Sequence, residues 1–272
     1  MFMVNIKAGT KGLVFVMAYL AATVNSYAEV QTKFPEPTDA IKFLFGLGGG
    51  FDKSAYLGER TLTEPSLALA IYSKNLYVDF HEISYSFKPK TDISVKLFTH
   101  QDGLPNEEDI PEALDIKSGD SLDAGLSLEK SIKEARIGVV VALDVTDTHG
   151  GYITEFSAGF DNITNTTRAS MTIGARYSDQ KRNDYYFGVK RGEENAELLA
   201  YRTQGEWSFF AEAIYLKTFS HNFALVLETS VSSLGGSAKD SPRTINNTDT
   251  AEIEVFAGLL WQFTVLGGNK GK

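Results

Sequence analysis

Four histidines, His81, His100, His149 and His221, and no cysteine are the raw material for metal or nucleophilic chemistry in this 272-residue chain. Covalent or acid–base catalysis needs a nucleophile with a base in reach, or paired acids. The richest setting is His149 in DTHGG, close in sequence to Asp144 and Asp147. The same residues also spell a hairpin, in which two glycines supply positive φ and Asp and His tolerate the turn. The hairpin is the reading adopted. His221 opens a strand beside a short turn and reads as an interfacial polar residue. GLGGG at 46–50 lacks the Lys-Ser/Thr and the helix of a phosphate loop, and glycines along a strand mark a bend or close packing. The acidic stretch 101–120, with Asp240 and Asp249 in another connection, offers oxygen ligands that suit Ca²⁺ bridging to lipopolysaccharide. A solvated loop is the simpler account. No residue is therefore assigned as catalytic, cofactor-binding or metal-ligating, no cofactor is implied, and no partner-binding residue is named.

The elements that carry these residues show a period of two. In AEIEVFAGLLWQF (251–263), one face reads Ala251, Ile253, Val255, Ala257, Leu259, Trp261, Phe263, and the other holds Glu252, Glu254, Gly258 and Gln262. Such alternation specifies a β-strand with one apolar face. It recurs in RIGVVVALDVT, RASMTIGARYS, NFALVLETSVS and SLDAGLSLEKSI, where Lys130 interrupts the apolar face at a strand end from which a lysine can snorkel. Weaker versions occupy 41–51, 63–72, 75–81, 82–88, 91–100, 151–162 and 206–218, which brings the count to twelve. Residues 184–204 leave room for further pairing.

The address agrees with an exported barrel. Lys7 and Lys11 precede a short apolar run that ends at Ser26 and Ala28, the pattern of a signal peptide cut after Ala28. Removing those two lysines from the formal charge of −9 leaves −11 on the mature chain, which excludes nucleic acid as a partner. Twelve Tyr, 18 Phe, 24 Gly and only 7 Pro fit β-structure with tight turns. The fold expected is all-β: a transmembrane antiparallel up-and-down β-barrel of about 12 strands in the outer membrane of a Gram-negative bacterium. Residues 1–28 form the signal peptide, 29–40 a periplasmic segment, 41–263 the barrel and 264–272 a polar tail. A soluble sandwich would bury the apolar faces instead, and it rarely places all its long loops on one side.

Connections at 73–74, 89–90, 132–133, 163–166 and 219–220 are short. Those at 52–62, 101–119, 180–205 and 234–249 are long, with tight hairpins at 81–82 and 148–150 on the same side. Short turns face the periplasm in such barrels, so both termini are expected there. Apolar faces meet lipid, the partner common to every strand, and Trp261, Phe263, Tyr177, Tyr85 and Phe87 suit interfacial girdles. Glu252, Glu254, Glu228, Glu212, Glu155, Glu129, Asp123, Asp144 and Asp79 then share the lumen with Arg136, Arg168, Arg176, Lys96 and Lys88. Interleaved ion pairs are expected, because bare buried charges are too costly.

Several segments resemble one family. FGLGGGFDKSAYLGE resembles the glycine-rich first strand of MipA/OmpV (MltA-interacting protein) outer-membrane proteins, and DVTDTHGGYITEFSAGF resembles their His-Gly-Gly hairpin. YYFGV, LGGSAKDSP and the closing GLLWQF are similar to later segments, so the likeness runs from about 43 to 263. Ser54 stands where the family pattern has proline, and TVLGGNKGK follows the aromatic on which such barrels end. The resemblance implies a non-enzymatic scaffold that links the outer membrane to a lytic transglycosylase and a peptidoglycan synthase. The residues themselves leave a small-solute diffusion channel open as the alternative.

Overall fold

A computed structural model describes residues 41–53, 62–102, 121–192, 198–244 and 251–266. The expected signal peptide, the 29–40 segment, most of the acidic stretch, Asp249 and the last six residues lie outside the described residues. Twelve strands run in order: β1 (Ile41–Lys53), β2 (Leu62–Tyr72), β3 (Leu76–Val78), β4 (Glu82–Lys90), β5 (Ile93–Asp102), β6 (Ser121–Ile132), β7 (Ala135–Asp144), β8 (Tyr152–Ile163), β9 (Thr167–Ser178), β10 (Glu206–Ser220), β11 (Phe223–Ser233) and β12 (Ala251–Leu266). Each pairs antiparallel with its sequence neighbours, and β1 pairs with β12, so the sheet closes. Closure satisfies the backbone within the sheet, the condition for crossing hydrocarbon.

The alternating faces fall as the sequence dictates. Val139, Val141 and Leu143 point outward and are exposed, as are Met171, Ile173, Leu227, Val255 and Phe263. Between them on the same strands, Ala142, Ser170, Val226, Glu228 and Leu260 point inward and are buried. An exposed apolar band of this extent belongs in lipid. Aromatic rings gather at its two ends. Phe223 lies 4.9 Å from Trp261 and 5.5 Å from Phe219 at the short-turn end. Tyr177 lies 5.4 Å from Trp207 and 6.1 Å from Tyr152 at the other. Lys130 is exposed at its strand end, where its stem can snorkel.

Inward-facing glycines let rings lie flat across the wall. A Cβ at Gly48 would fall 2.4 Å from Phe256 Cζ, one at Gly125 2.3 Å from Phe98 Cζ, and one at Gly174 2.3 Å from Phe210 Cζ. The GLGGG run is thus a packing surface for Phe256.

Three elements differ from the sequence pattern. β3 ends at Val78 rather than near 81, because the Asp79 carboxylate takes the amide protons of His81 (2.7 Å) and Glu82 (2.6 Å) and turns the chain. β12 continues three residues past Phe263, since Thr264 pairs with Lys42 and Leu266 with Ile41 across a bulge. Thr-Val-Leu still favours a strand; the Gly/Lys-rich sequence begins only after it. Residues 180–187 form a helix, α1 (Gln180–Phe187), where only further strand pairing had been considered. Asp179 is its N-cap and accepts from the Lys181 and Arg182 amides.

The short β3 makes one part of the wall low. β2 pairs with β1 over its whole length but with β3 only at Ile71–Val78 and Tyr72–Tyr77. Among the described residues, no strand pairs with Leu62–Ala70 on the side away from β1. The Ser73 amide donates to Leu76 on the β3 side, so by alternation the backbone of Ile71, Leu69, Leu67 and Pro65 points the same way. Pro65 therefore has its missing donor on the unpaired edge, where a proline is tolerated.

Candidate functional site: a charge-lined lumen under a latched cap

Inward side chains of β4–β9 carry most of the lumen charge, and register brings them together. Lys96 Nζ lies 3.2 Å from Glu82 Oε1 and 4.5 Å from the Phe98 ring centroid. Arg136 reaches Asp161 (3.3 Å) and Glu129 (3.8 Å), and donates to Ser170 (3.1 Å) and Thr172. Arg168 closes on the same Asp161 at 3.0 Å. Arg176 pairs with Glu155 at 3.0 Å and faces the Phe210 ring. The expected interleaving of charges is therefore present. Asp161 and Glu82, however, were absent from the sequence-derived set, although strand parity with Glu155 and Ser84 marks both as inward. Lys88 lies exposed beside the β4–β5 turn, outside this network. Asp79 caps its turn and also accepts from the Tyr77 hydroxyl at 2.8 Å.

The other strands add an apolar cluster beside buried polar groups such as Lys42, Glu228 and Gln262. Tyr72, Tyr77, Ile214, Leu216, Val226, Phe256 and Leu260 form one buried cluster across β2, β3, β10, β11 and β12. Tyr72 donates to the Gln262 side chain beneath it. Ala224 and Val226 are wholly inaccessible and Arg168 is 3% exposed, so side chains pack closely over the wall at this level.

At the long-connection end, residues 179–192, 198–205 and 234–244 pack together as a cap. Their inward course begins at α1, whose Arg182 donates to Asp123 on β6 at 3.3 Å and stacks on Tyr186. Arg243 donates to the Tyr186 carbonyl at 3.1 Å, placing a cation at the C-terminus of α1. A second short helix, α2 (Gly236–Lys239), has its Ser237 and Ala238 amides capped by Glu206 at 2.6 and 2.8 Å. Asp184 accepts from the Thr203 amide and hydroxyl, and the Tyr201 hydroxyl donates to the Ser237 carbonyl. Burial, with Asp240 and Glu206 near, pushes the Tyr201 hydroxyl above its ordinary pKa and keeps it a donor.

His149 sits under this cap with its side chain wholly buried. Its Nδ1 accepts the Gly151 amide proton (2.9 Å), and its Nε2 lies 3.3 Å from Asp123 Oδ1. Asp144 accepts from the amides of Thr146, His149 and Gly150 and from the Thr146 hydroxyl. Asp147 (φ 59°) and Gly150 (φ 62°) take the left-handed positions. Gly151 serves differently, since a Cβ there would meet Asp179 Oδ1 at 2.2 Å. Asp123, Asp144 and His149 can bring ligand atoms within 4.8 Å of one another. Arg182 Nη1, at 3.3 Å from both Asp123 Oδ2 and His149 Nε2, already fills the place a cation would take. The chemistry is that of a hairpin latch. His81 is buried behind Asp79, His100 pairs across to Glu82 and Asp123 in the ladder, and His221 gives its carbonyl to Gln262 beside the β10–β11 turn. Among the described residues, the one group of possible metal-ligating side chains holds His149 and none of these three.

A closed twelve-stranded barrel with a lipid-facing band raises the question of kinship. The sequence profile described as "MltA-interacting protein MipA" matches residues 45–263, nearly all of the barrel. The chain belongs to the MipA family. Relatives of this MipA-family barrel include the "Putative outer membrane protein YiaT" of Escherichia coli (strain K12), 21% identical over 85% of this chain and 94% of that one. The "Outer membrane protein Omp26La" of Vibrio anguillarum is 23% identical over 65% of this chain and 70% of its own. "Outer membrane protein OmpV" of Vibrio cholerae is 25% identical over 53% of this chain and 57% of its own. Among solved structures, the COG4313 outer membrane channel from Pseudomonas putida F1 overlays with a TM-score of 0.44 at 9% identity, covering 84% of this chain and 96% of that one. The MipA-family barrel is an outer-membrane protein of the Gram-negative envelope.

Proposed function

We propose that this barrel is a non-enzymatic, non-conducting anchor of the outer membrane, a scaffold that presents its periplasmic face to peptidoglycan-remodelling enzymes. The observation that carries the reading is the burial of inward side chains beneath a hydrogen-bonded cap. Ala224, Val226 and Arg168 are buried on the inner wall, and a hydrogen-bonded cap lies above them. A barrel packed in this way contributes a fixed platform in the membrane. The partner chemistry comes from the family description, which names interaction with MltA, a lytic transglycosylase; a bifunctional peptidoglycan synthase is the second partner proposed. The short turns are assigned to the periplasm, with both termini.

The alternative, a small-solute diffusion channel, draws on the charged lining of Lys96, Glu82, Arg176 and Glu155. It requires the cap to part. The scaffold reading is tested by crosslinking intact cells in the periplasm and purifying the barrel. Recovery of a lytic transglycosylase or a peptidoglycan synthase, and not of an unrelated periplasmic enzyme, is expected. Recovery of neither across crosslinker lengths overturns it.

A further inference from the structure

The chain carries a formal charge of −9, yet the short-turn rim is basic. Lys74 in the β2–β3 turn, Lys88 and Lys90 beside the β4–β5 turn, and Lys133 in the β6–β7 turn are all exposed. Only two exposed carboxylates share this arc, Asp92 and Glu134. Among the described residues no carboxylate pairs with any of the four lysines. Their charge is therefore not spent on the fold, in contrast to Lys96, Arg136 and Arg168 inside the barrel.

The lysines also form a single patch. The three turns join consecutive strand pairs of the wall. Neighbouring turns are thus two strand spacings apart, roughly 10 Å. The β8–β9 and β10–β11 turns continue the rim with Thr164, Asn165, Thr166, His221 and Asn222, which bear no fixed positive charge. Separate ammonium groups on flexible stems, spread along an arc, suit an extended and mobile polyanion with spaced carboxylates; one compact phosphate would demand convergent donors. Lys88 has inward parity on β4 and emerges at its end, beyond the lipid-facing residues Tyr85 and Phe87, whereas Lys90 lies past a register shift and pairs with Ile93 at the rim. That direction carries the Lys88 ammonium away from the bilayer surface.

We infer that this lysine arc binds peptidoglycan directly, through the free carboxylates of its stem peptides. The inference rests on the periplasmic assignment of the short turns made under the proposed function. It gives the anchor a grip on the polymer itself, independent of any enzyme.

The test uses the full barrel in nanodiscs of zwitterionic lipid, cosedimented with purified sacculi stripped of protein. Binding is expected, and it should weaken steeply as salt rises and the screening length falls below about 10 Å. The quadruple variant Lys74→Gln, Lys88→Gln, Lys90→Gln, Lys133→Gln should lose about tenfold or more of that binding, as expected for removal of a charged steering patch. Its heat-modifiable gel mobility, the sign of a folded barrel, should not change. Lys181→Gln with Lys239→Gln, exposed at the opposite end, should bind as the parent does. Amidating the sacculus carboxylates should abolish binding by the parent. Absence of parental binding, or binding indifferent to the quadruple variant, overturns the inference. So does a variant whose only defect is weaker association with anionic phospholipid vesicles, which would make the arc a membrane contact. No enzyme is present in this assay, so failure to capture one from cells overturns the scaffold and leaves this result standing.

Discussion

Arg182 on α1 and Asp123 on β6 are 59 residues apart in sequence, and the guanidinium Nη1 lies 3.3 Å from the carboxylate Oδ2. Asp123 in turn faces His149 of the β7–β8 hairpin at 3.3 Å. Three elements of the long-connection end are thereby tied at one buried carboxylate. Truncating Arg182 leaves the Asp123 carboxylate buried without its cation, which costs about 3 kcal/mol or more for a buried pair. Arg182→Ala should loosen the cap while the barrel still inserts. The chain has no cysteine, so a single Ser121→Cys, at a residue 1% exposed, reports access cleanly. The thiol should be unreactive to a hydrophilic maleimide alone and reactive when combined with Arg182→Ala. A thiol that stays unreactive in the double variant means the latch does not hold the cap.

Val141 and Leu227 lie well inside the strands on the outward faces of β7 and β11. Arginine at either should cost ~2–4 kcal/mol, the penalty for charge at the bilayer midplane. Urea titration of the folded barrel into lipid vesicles measures it. A change within error of zero would mean the face is not in hydrocarbon.

Gly48 and Gly138 both face inward but should differ. A methyl at Gly48 meets Phe256 Cζ at 2.4 Å and the Ala257 carbonyl at 2.5 Å, and the carbonyl cannot move aside. Gly48→Ala should lower stability by about 1–3 kcal/mol, as overpacking does. At Gly138 the nearest atom is Ser157 Oγ at 2.9 Å, which can rotate away, so Gly138→Ala should be near neutral. Equal effects at the two sites would refute the ring-on-glycine packing.

On β2, amides of alternate residues should exchange with solvent at different rates. Leu67 and Leu69 point to the edge with no ladder partner among the described residues; Ala68 and Ala70 donate toward β1. Hydrogen exchange should be fast at the first pair and slow at the second. Uniform protection along β2 would show that another strand covers that edge.

Much of this architecture is readable in the residues alone. Ile137 to Val145 and Ala251 to Phe263 alternate so cleanly that faces, strand count and lipid contact follow, because a period of two is a local property. β3 escapes because the side chain of Asp79 competes for the amides that a longer strand would need. α1 escapes because Tyr185, Tyr186 and Phe187 favour strands, and its one helical signal is the Asp179 cap. Pairing inside the lumen is harder still. That Asp161 serves both Arg136 and Arg168, or that His149 meets Asp123 rather than its sequence neighbour Asp147, depends on register across three strands. Sequence names the charges but not which of them touch.

The central claim is that the lumen is closed along its axis. Planar-bilayer recording of the purified barrel measures this directly. The closely packed inner wall and latched cap predict no steady conductance steps in the parent protein at moderate voltage. Regular, long-lived unit conductance steps from the same preparation would contradict a closed barrel and favour the channel.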